Sequence, residues 1–155
     1  LTWAKGTAIM GFLGAGVWGF MHTLAPVNYY THGTQLTAAH GHLSFYGAYI
    51  MIIFTMISYA MPILRGRNGG NCEKAQKVEL TAFWMMNIGM LGLTLALTVG
   101  GIMQIIQQRT GLNALGFMEV QANIVPIYLV RLGFGLLTFS GLITYLYSFF
   151  VKEDK

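Results

Sequence analysis

The chain has 155 residues, of which 55% are hydrophobic and 9% are charged, and its formal net charge is +4. Long apolar runs at this charge density are typical of a protein that crosses a bilayer several times. The charged residues lie almost entirely at the ends of apolar segments, which excludes a basic surface for nucleic acid. A single cysteine, Cys72, excludes an internal disulfide.

Hydropathy predicts an all-α membrane fold, with four transmembrane helices in one unit over residues 1–155. In chain order the predicted spans are Ala4–Leu24, Leu36–Leu64, Leu80–Ile106 and Ile124–Val151. Each supplies the roughly 20 residues that a crossing needs. The chain begins at Leu1 without the pattern of a cleavable signal peptide, so we expect it to be a piece of a longer protein.

Small residues recur in the first span at four-residue spacing, at Gly11, Ala15 and Gly19. On a helix this spacing places them on one face, where small side chains allow a second helix to approach closely. We therefore expect this face to be a helix–helix contact.

The charged residues also predict the orientation. Lys5, the polar segment 65–77 and the tail 152–155 fall on one side of a four-span arrangement, whereas Arg109 and Glu119 fall on the other. Since cytoplasmic loops carry the excess of Lys and Arg, both ends of the chain are expected in the cytoplasm. All four histidines then gather toward the outer side, in the first two spans or in the loop that joins them.

His40 and His42 stand one residue apart inside the second span. Positions i and i+2 of a helix point about 200° apart, so the two imidazoles leave opposite sides of the helix and do not easily share one metal. Polar rings in hydrocarbon usually mark a functional site, and imidazole is a common axial ligand of haem iron. The pair therefore favours one haem on each flank of the second span.

Two other interpretations of the histidines stay open. An intramembrane histidine is often an interhelical hydrogen-bond donor, although two on opposite faces would each need a separate buried partner. A zinc or copper site could combine His22, His32 and one histidine of the pair. It would leave the other ring of the pair without a role.

The run HGTQLTAAHGH at residues 32–42 resembles the tenth-helix motif of the haem–copper oxidase superfamily, in which a histidine precedes a His-x-His pair by eight residues. With NYYT before it, LSFYGAY after it and GAGVWGFM at residues 14–21, it is most similar to the cytochrome b subunits of bacterial nitric oxide reductases. The resemblance covers essentially the whole chain, as helices nine to twelve of a twelve-helix bundle. The resemblance implies that the front two-thirds of such a subunit would precede this chain.

The resemblance implies roles for individual residues. His40 corresponds to the proximal ligand of a high-spin b-type haem, and His42 to one of two axial ligands of a low-spin b-type haem. His32 corresponds to a position near the propionates of the high-spin haem. A solvent-facing loop histidine remains the alternative for His32, and for His22 the resemblance implies only an interfacial or packing role.

Two arginines are further candidates for cofactor binding. Arg131 lies inside the fourth span near its outer end, and Arg109 lies at the outer end of the third. A guanidinium suits carboxylates such as haem propionates, and an arginine within a membrane is a functional candidate. Outward snorkelling of Arg131 stays open. Glu119 could pair with either arginine.

The implied reaction is the reductive coupling of two nitric oxide molecules to nitrous oxide and water, with two electrons and two protons. By resemblance it occurs between the high-spin haem and a non-haem iron, in the bacterial inner membrane. The ligands of that iron and the second axial ligand of the low-spin haem are not in this chain. The chain is therefore expected to act only with the remainder of the subunit and with a cytochrome c subunit or quinol as electron donor.

Three alternatives to this function stay open at this point. They are an oxygen reductase with copper as its second metal, a non-catalytic dihaem electron carrier, and a structural membrane subunit without cofactor. Only the residues around His32 to Tyr49 distinguish nitric oxide from oxygen chemistry.

Overall fold

The computed structural model describes residues 2–64, 72–110 and 114–151. Within these ranges the chain is helical and has no β-strand, which confirms the predicted all-α fold. Two π-helical segments, Phe12–Trp18 and Tyr46–Ile50, continue directly from the α-helices beside them. The α-helices are, in chain order, α1 (Thr2–Gly11), α2 (Gly19–Thr23), α3 (Ala25–Thr31), α4 (Gln35–Phe45), α5 (Met51–Leu64), α6 (Glu73–Arg109), α7 (Phe117–Asn123) and α8 (Val125–Ser148).

Three continuous helices of the described ranges are long and apolar enough to cross a membrane. They are Gln35–Leu64, Glu73–Arg109 and Val125–Ser148, and they correspond to the second, third and fourth predicted spans. The first predicted span forms a helix over Thr2–Thr23. It meets the same criterion only together with α3, to which it is bent by 100°.

Two features differ from the hydropathy pattern. Helix α3 occupies part of the expected loop, because Leu24 is extended and Pro26 lies in the first turn of the new helix, where the fixed φ and missing N–H of proline suit a helix start. Helix α6 begins at Glu73 rather than Leu80. Its polar first turns remain helical and contain an i,i+4 ion pair between Glu73 and Lys77 at 2.7 Å, which hydropathy does not detect.

Helix α6 is the central element, and glycines allow its neighbours to approach. Helix α8 runs antiparallel to it, and a Cβ added at Gly89 would lie 2.7 Å from the backbone nitrogen of Thr138. Toward the other end of α6, Gly101 lies directly against the backbone of Leu36 on α4. Replacing side chains by hydrogen at these points brings the backbones into contact.

The first helix packs against the second through the two π-helical segments. Gly47 lies against the backbone of Met10 and Gly11, and a Cβ added at Gly14 would lie 2.8 Å from the carbonyl carbon of Leu43. Ala15, which was expected at this contact, is exposed, so that part of the prediction was wrong. The i→i+5 hydrogen bonds of a π-helix change the residue spacing, and Gly14 takes its place.

An aromatic cluster joins the chain segments at one end of the bundle. The indole Nε1 of Trp3 donates to Glu79 Oε1 at 2.8 Å. The Trp3 ring centroid lies 4.9 to 5.2 Å from those of Phe54, Phe83 and Tyr145. The start of α1, the start of α6 and the end of α8 therefore share this end, as the charge pattern predicted, and the histidines lie toward the other. Segment 65–71 and the tail 152–155, which also entered that prediction, lie outside the described residues.

Candidate functional site

His40 projects from α4 toward the first helix. Its Nδ1 lies 3.1 Å from the carbonyl oxygen of Gly14 and 3.0 Å from Ser44 Oγ. Gly19 leaves room for the ring, because a Cβ at that position would lie 3.3 Å from Cε1 of His40. Since a carbonyl oxygen only accepts hydrogen bonds, this contact selects the neutral tautomer in which Nδ1 carries the proton and Nε2 has the lone pair.

His42 is held in the same way, but by its own helix. Its Nδ1 lies 2.8 Å from the carbonyl oxygen of Ala38, one turn earlier, so its Nε2 also keeps a lone pair. Both histidines lie within the regular helix α4, where a two-residue spacing directs side chains to opposite sides. The arrangement presents two imidazole rings from one helix, in two different directions.

His22 lies beside His40, a contact that the sequence pattern did not reveal. The two rings are stacked, with centroids 4.9 Å apart and planes inclined by 20°. His22 Nδ1 lies 3.0 Å from the carbonyl oxygen of Trp18, and within the described residues its buried Nε2 has no hydrogen-bond partner. The sequence does contain a signal for this contact. His22 follows Gly19 by three residues, so both lie on one face of the first helix.

The zinc or copper alternative finds no support in this geometry. Among the residues that the structure describes, no group of three or more His, Cys, Asp or Glu side chains could hold a metal ion. His22 contacts His40, but His32 does not join them.

His32 and Arg109 come together at the outer end of the bundle. Both line a cavity of about 830 Å³, and both are exposed. The Arg109 guanidinium donates to the carbonyl oxygens of Tyr29 and Tyr30, each at 2.7 Å, and of His32 at 2.9 Å. It therefore satisfies carbonyls at the end of α3 that have no partner within the helix.

Arg131 lies on the face of α8 that meets α6. It is one turn from Ile127 and one turn from Phe134, and these two side chains lie against glycines of α6. Its side chain is half-buried, and in the described part of the chain no hydrogen bond or ion pair involves its guanidinium. Glu119, on α7, is exposed and pairs with neither arginine.

A hydrogen bond between α4 and α8 gives the depth of Arg131. Gln35 Nε2 donates to Tyr128 Oη at 2.9 Å, which aligns the first turns of two helices that both run antiparallel to α6. Ala38 lies three residues beyond Gln35 on α4, and Arg131 lies three residues beyond Tyr128 on α8. At 1.5 Å per residue, both are about 4.5 Å deeper. Arg131 is thus level with the residue whose carbonyl holds His42.

Comparison with known proteins identifies the family. Residues 1–137 match the family described as cytochrome c and quinol oxidase polypeptide I. The chain belongs to this family. The members of this family are multi-helix membrane bundles, in agreement with the fold described above.

Individual relatives agree with the resemblance found in the sequence. A nitric oxide reductase subunit of Stutzerimonas stutzeri is 55% identical over 149 residues, which are 95% of this chain and 31% of that protein. Cytochrome c oxidase subunit 1 of Rhodobacter capsulatus is 31% identical over 152 residues, covering 94% of this chain and 28% of that protein. A cytochrome c oxidase subunit 1 homolog of Agrobacterium tumefaciens (strain T37) is 29% identical over 136 residues, with coverages of 84% and 24%.

The chain therefore spans about a quarter to a third of the length of the curated relatives it matches. The predicted resemblance to the nitric oxide reductase subunit and its superfamily is confirmed.

Proposed function

We propose that this chain is part of the catalytic subunit of a respiratory nitric oxide reductase, in which α4 ligates both haems. The observation that carries the proposal is the pair of imidazoles at His40 and His42, each with Nδ1 against a carbonyl oxygen. The 55% identity to a nitric oxide reductase subunit, against 31% and 29% to cytochrome c oxidase sequences, favours this chemistry.

The donor set fits haem iron. A haem takes a neutral imidazole nitrogen as an axial ligand, and ligating histidines commonly donate their other N–H to a carbonyl or carboxylate. His40 would hold a high-spin b-type haem and His42 a low-spin one. When bound, these haems, with a non-haem iron held outside this chain, supply the electron transfer and reduction that convert two nitric oxide molecules to nitrous oxide and water.

The contribution of this chain is to position the ligands. Because both imidazoles project from one regular helix, the two-residue spacing sets their separation and direction. The Gly14 carbonyl fixes the His40 ring from a second helix, and the Ala38 carbonyl fixes the His42 ring from the same helix. A fixed tautomer keeps each Nε2 available to a metal.

Three cationic or polar side chains would serve the propionates. Arg131 is half-buried at the level of Ala38 without a protein partner in the described ranges, and a guanidinium binds a carboxylate through two parallel hydrogen bonds. His32 and Arg109 share a cavity at the outer end. Because Arg109 already donates to three carbonyls, it would act mainly through its charge.

In this proposal the protein crosses the bacterial inner membrane with both ends of this chain in the cytoplasm. The histidine end of the bundle then faces outward. The remainder of the catalytic subunit would supply the other metal ligands, and a cytochrome c subunit or quinol would supply electrons.

Optical and EPR spectroscopy of the full-length protein tests the ligand assignment. We expect His40→Ala to remove the high-spin signal and His42→Ala to remove the low-spin signal. Ser140→Ala is the matched control, because this exposed hydroxyl bonds, among the described residues, only to the carbonyl oxygen of Leu136 in its own helix. Identical spectra from the two histidine variants would contradict the proposal, as would a colourless wild-type preparation.

An oxygen reductase is the second candidate, favoured by the matches to cytochrome c oxidase subunits. Metal analysis of the intact protein separates the two. Iron beyond the two haems supports a nitric oxide reductase, whereas stoichiometric copper supports an oxygen reductase. Two six-coordinate low-spin haems that do not bind carbon monoxide when reduced would instead identify an electron carrier.

A further inference from the structure

We propose that His22 is a positioning residue for His40, and that it fixes the plane of the His40 imidazole about its bond to the high-spin haem iron. This inference rests on the proposed function, since it requires His40 to be a haem ligand. It gives a role to a histidine that neither the sequence pattern nor the family resemblance explained.

The hydrogen bonds of His40 restrain its ring at one edge, whereas His22 contacts its face. Gly14 and Ser44 both contact the single atom Nδ1, and because a hydrogen bond tolerates a range of angles, these contacts limit the rotation of the ring about Cβ–Cγ without fixing it. The His22 ring lies 4.9 Å from the His40 ring with planes inclined by 20°. A flat neighbour on the ring face narrows the rotation that the contacts at Nδ1 still allow.

His22 is itself held in place. Its Nδ1 lies 3.0 Å from the carbonyl oxygen of Trp18, one turn earlier in the same helix. A hydrocarbon ring at this position could stack on His40 but could not make this hydrogen bond. The imidazole therefore transmits the orientation of the first helix to the ligand on the second.

Stacking is compatible with iron ligation. An iron bound at Nε2 would lie in the plane of the His40 imidazole, whereas His22 occupies a face of that ring. His22 also lines an apolar cavity of about 450 Å³, with Trp18, Leu36 and Leu43 among its other walls. Its buried Nε2 has no partner among the described residues, so neither ion pairing nor a hydrogen bond at that atom accounts for a histidine here.

Resonance Raman spectroscopy of the reduced full-length protein tests the proposal through the iron–histidine stretching band of the high-spin haem. We expect His22→Ala to shift and broaden this band, and His22→Phe, which keeps a flat ring, to shift it less. Val17→Ala is the matched control, because Val17 lines the same cavity and its truncation enlarges the cavity without altering the stack. A wild-type band in His22→Ala, or equal bands in His22→Ala and His22→Phe, would overturn the proposal.

The low-spin haem serves as an internal reference, since His42 lies on the other side of α4. Its EPR signal is expected to be unchanged in each His22 variant. If His22→Ala loses this signal and so fails to fold, His22→Leu replaces it, because leucine fills volume without a flat ring. Equal bands in His22→Leu and His22→Phe would then overturn the proposal. Failure of the proposed function has a different signature, namely a high-spin band that persists in His40→Ala.

Discussion

The carbonyl oxygen of Gly14 connects the first helix to the imidazole of His40. It accepts the backbone N–H of Gly19 in a π-helical i→i+5 bond, and it lies 3.1 Å from His40 Nδ1. Gly14 has no side chain to separate it from α4, where the backbone of Leu43 lies directly opposite. The π-helical segment and the glycine together bring a backbone acceptor to the ligand histidine, and π-helical turns are frequent at functional sites.

Gly14→Ala is expected to separate the first helix from α4. The new Cβ would lie 2.8 Å from the carbonyl carbon of Leu43 and 2.9 Å from its oxygen, and backbone atoms cannot rotate away as a side chain can. We expect a stability loss of about 1–3 kcal/mol, as for other overpacked sites, together with reduced high-spin haem content. Thermal unfolding in detergent and optical spectra of the full-length protein measure both effects.

Gly16→Ala is the control for this variant. The nearest atoms to a Cβ at Gly16 would be those of the Phe12 side chain, the first at 3.4 Å, and this side chain can adjust. It is expected to retain both stability and haem. Equal losses in the two alanine variants would show that the close approach at Gly14 is not the cause.

Substitutions at Trp3 separate a hydrogen bond from aromatic packing. The side chain is 3% exposed and donates to Glu79. Trp3→Phe removes this charged-acceptor hydrogen bond and is expected to cost about 1.5–3 kcal/mol. Trp3→Ala also removes the ring from the cluster with Phe54, Phe83 and Tyr145, and large-to-small changes of this kind cost about 3–5 kcal/mol.

Chemical denaturation of the full-length protein in detergent measures the Trp3 variants. Trp84→Phe is the matched control, because Trp84 is 56% exposed, and it is expected to change stability little. If Trp3→Phe and Trp3→Ala were equally destabilised, packing of the ring would contribute nothing at this end of the bundle.

Arg109→Lys is expected to loosen the segment between α3 and α4. A lysine ammonium has no planar fork, so it cannot reproduce the three hydrogen bonds to the carbonyls of Tyr29, Tyr30 and His32. We expect amide exchange over residues 32–37 to accelerate about tenfold, which corresponds to about 1.4 kcal/mol. This is near the low end of the stabilisation by hydrogen bonds to charged groups, because Arg109 is exposed.

Hydrogen exchange followed by mass spectrometry measures this acceleration, with Arg131→Lys as the control that leaves the segment unchanged. Wild-type exchange in Arg109→Lys would exclude a structural role for these bonds.

Arg131→Leu tests the proposed propionate contact. A positive charge near a haem stabilises the reduced form, so its removal is expected to lower the midpoint potential of the low-spin haem, whereas Arg131→Lys, which keeps the charge, should shift it less. Redox titration followed at the low-spin band gives the value. Unchanged haem content and potentials in Arg131→Leu would remove this residue from the site.

The sequence alone was sufficient for the all-α membrane fold and for the opposite directions of positions 40 and 42 on one helix. An apolar run of about 20 residues has few alternatives to a transmembrane helix, and the period of 3.6 residues determines the angle between positions i and i+2 on any regular helix. The Lys and Arg distribution likewise placed the start of the first span and the start of the third on one side, and the cluster around Trp3 joins the starts of α1 and α6.

Only the tertiary structure decided what lies next to each of these side chains. The contact of Gly14 in place of Ala15 depends on a π-helical segment that periodicity does not reveal. The stack of His22 on His40 and the hydrogen bonds from Arg109 to α3 join residues far apart in the chain. Such contacts follow from how two helices meet and turn, and helix crossing is determined by the close packing of both surfaces together rather than by either sequence segment on its own.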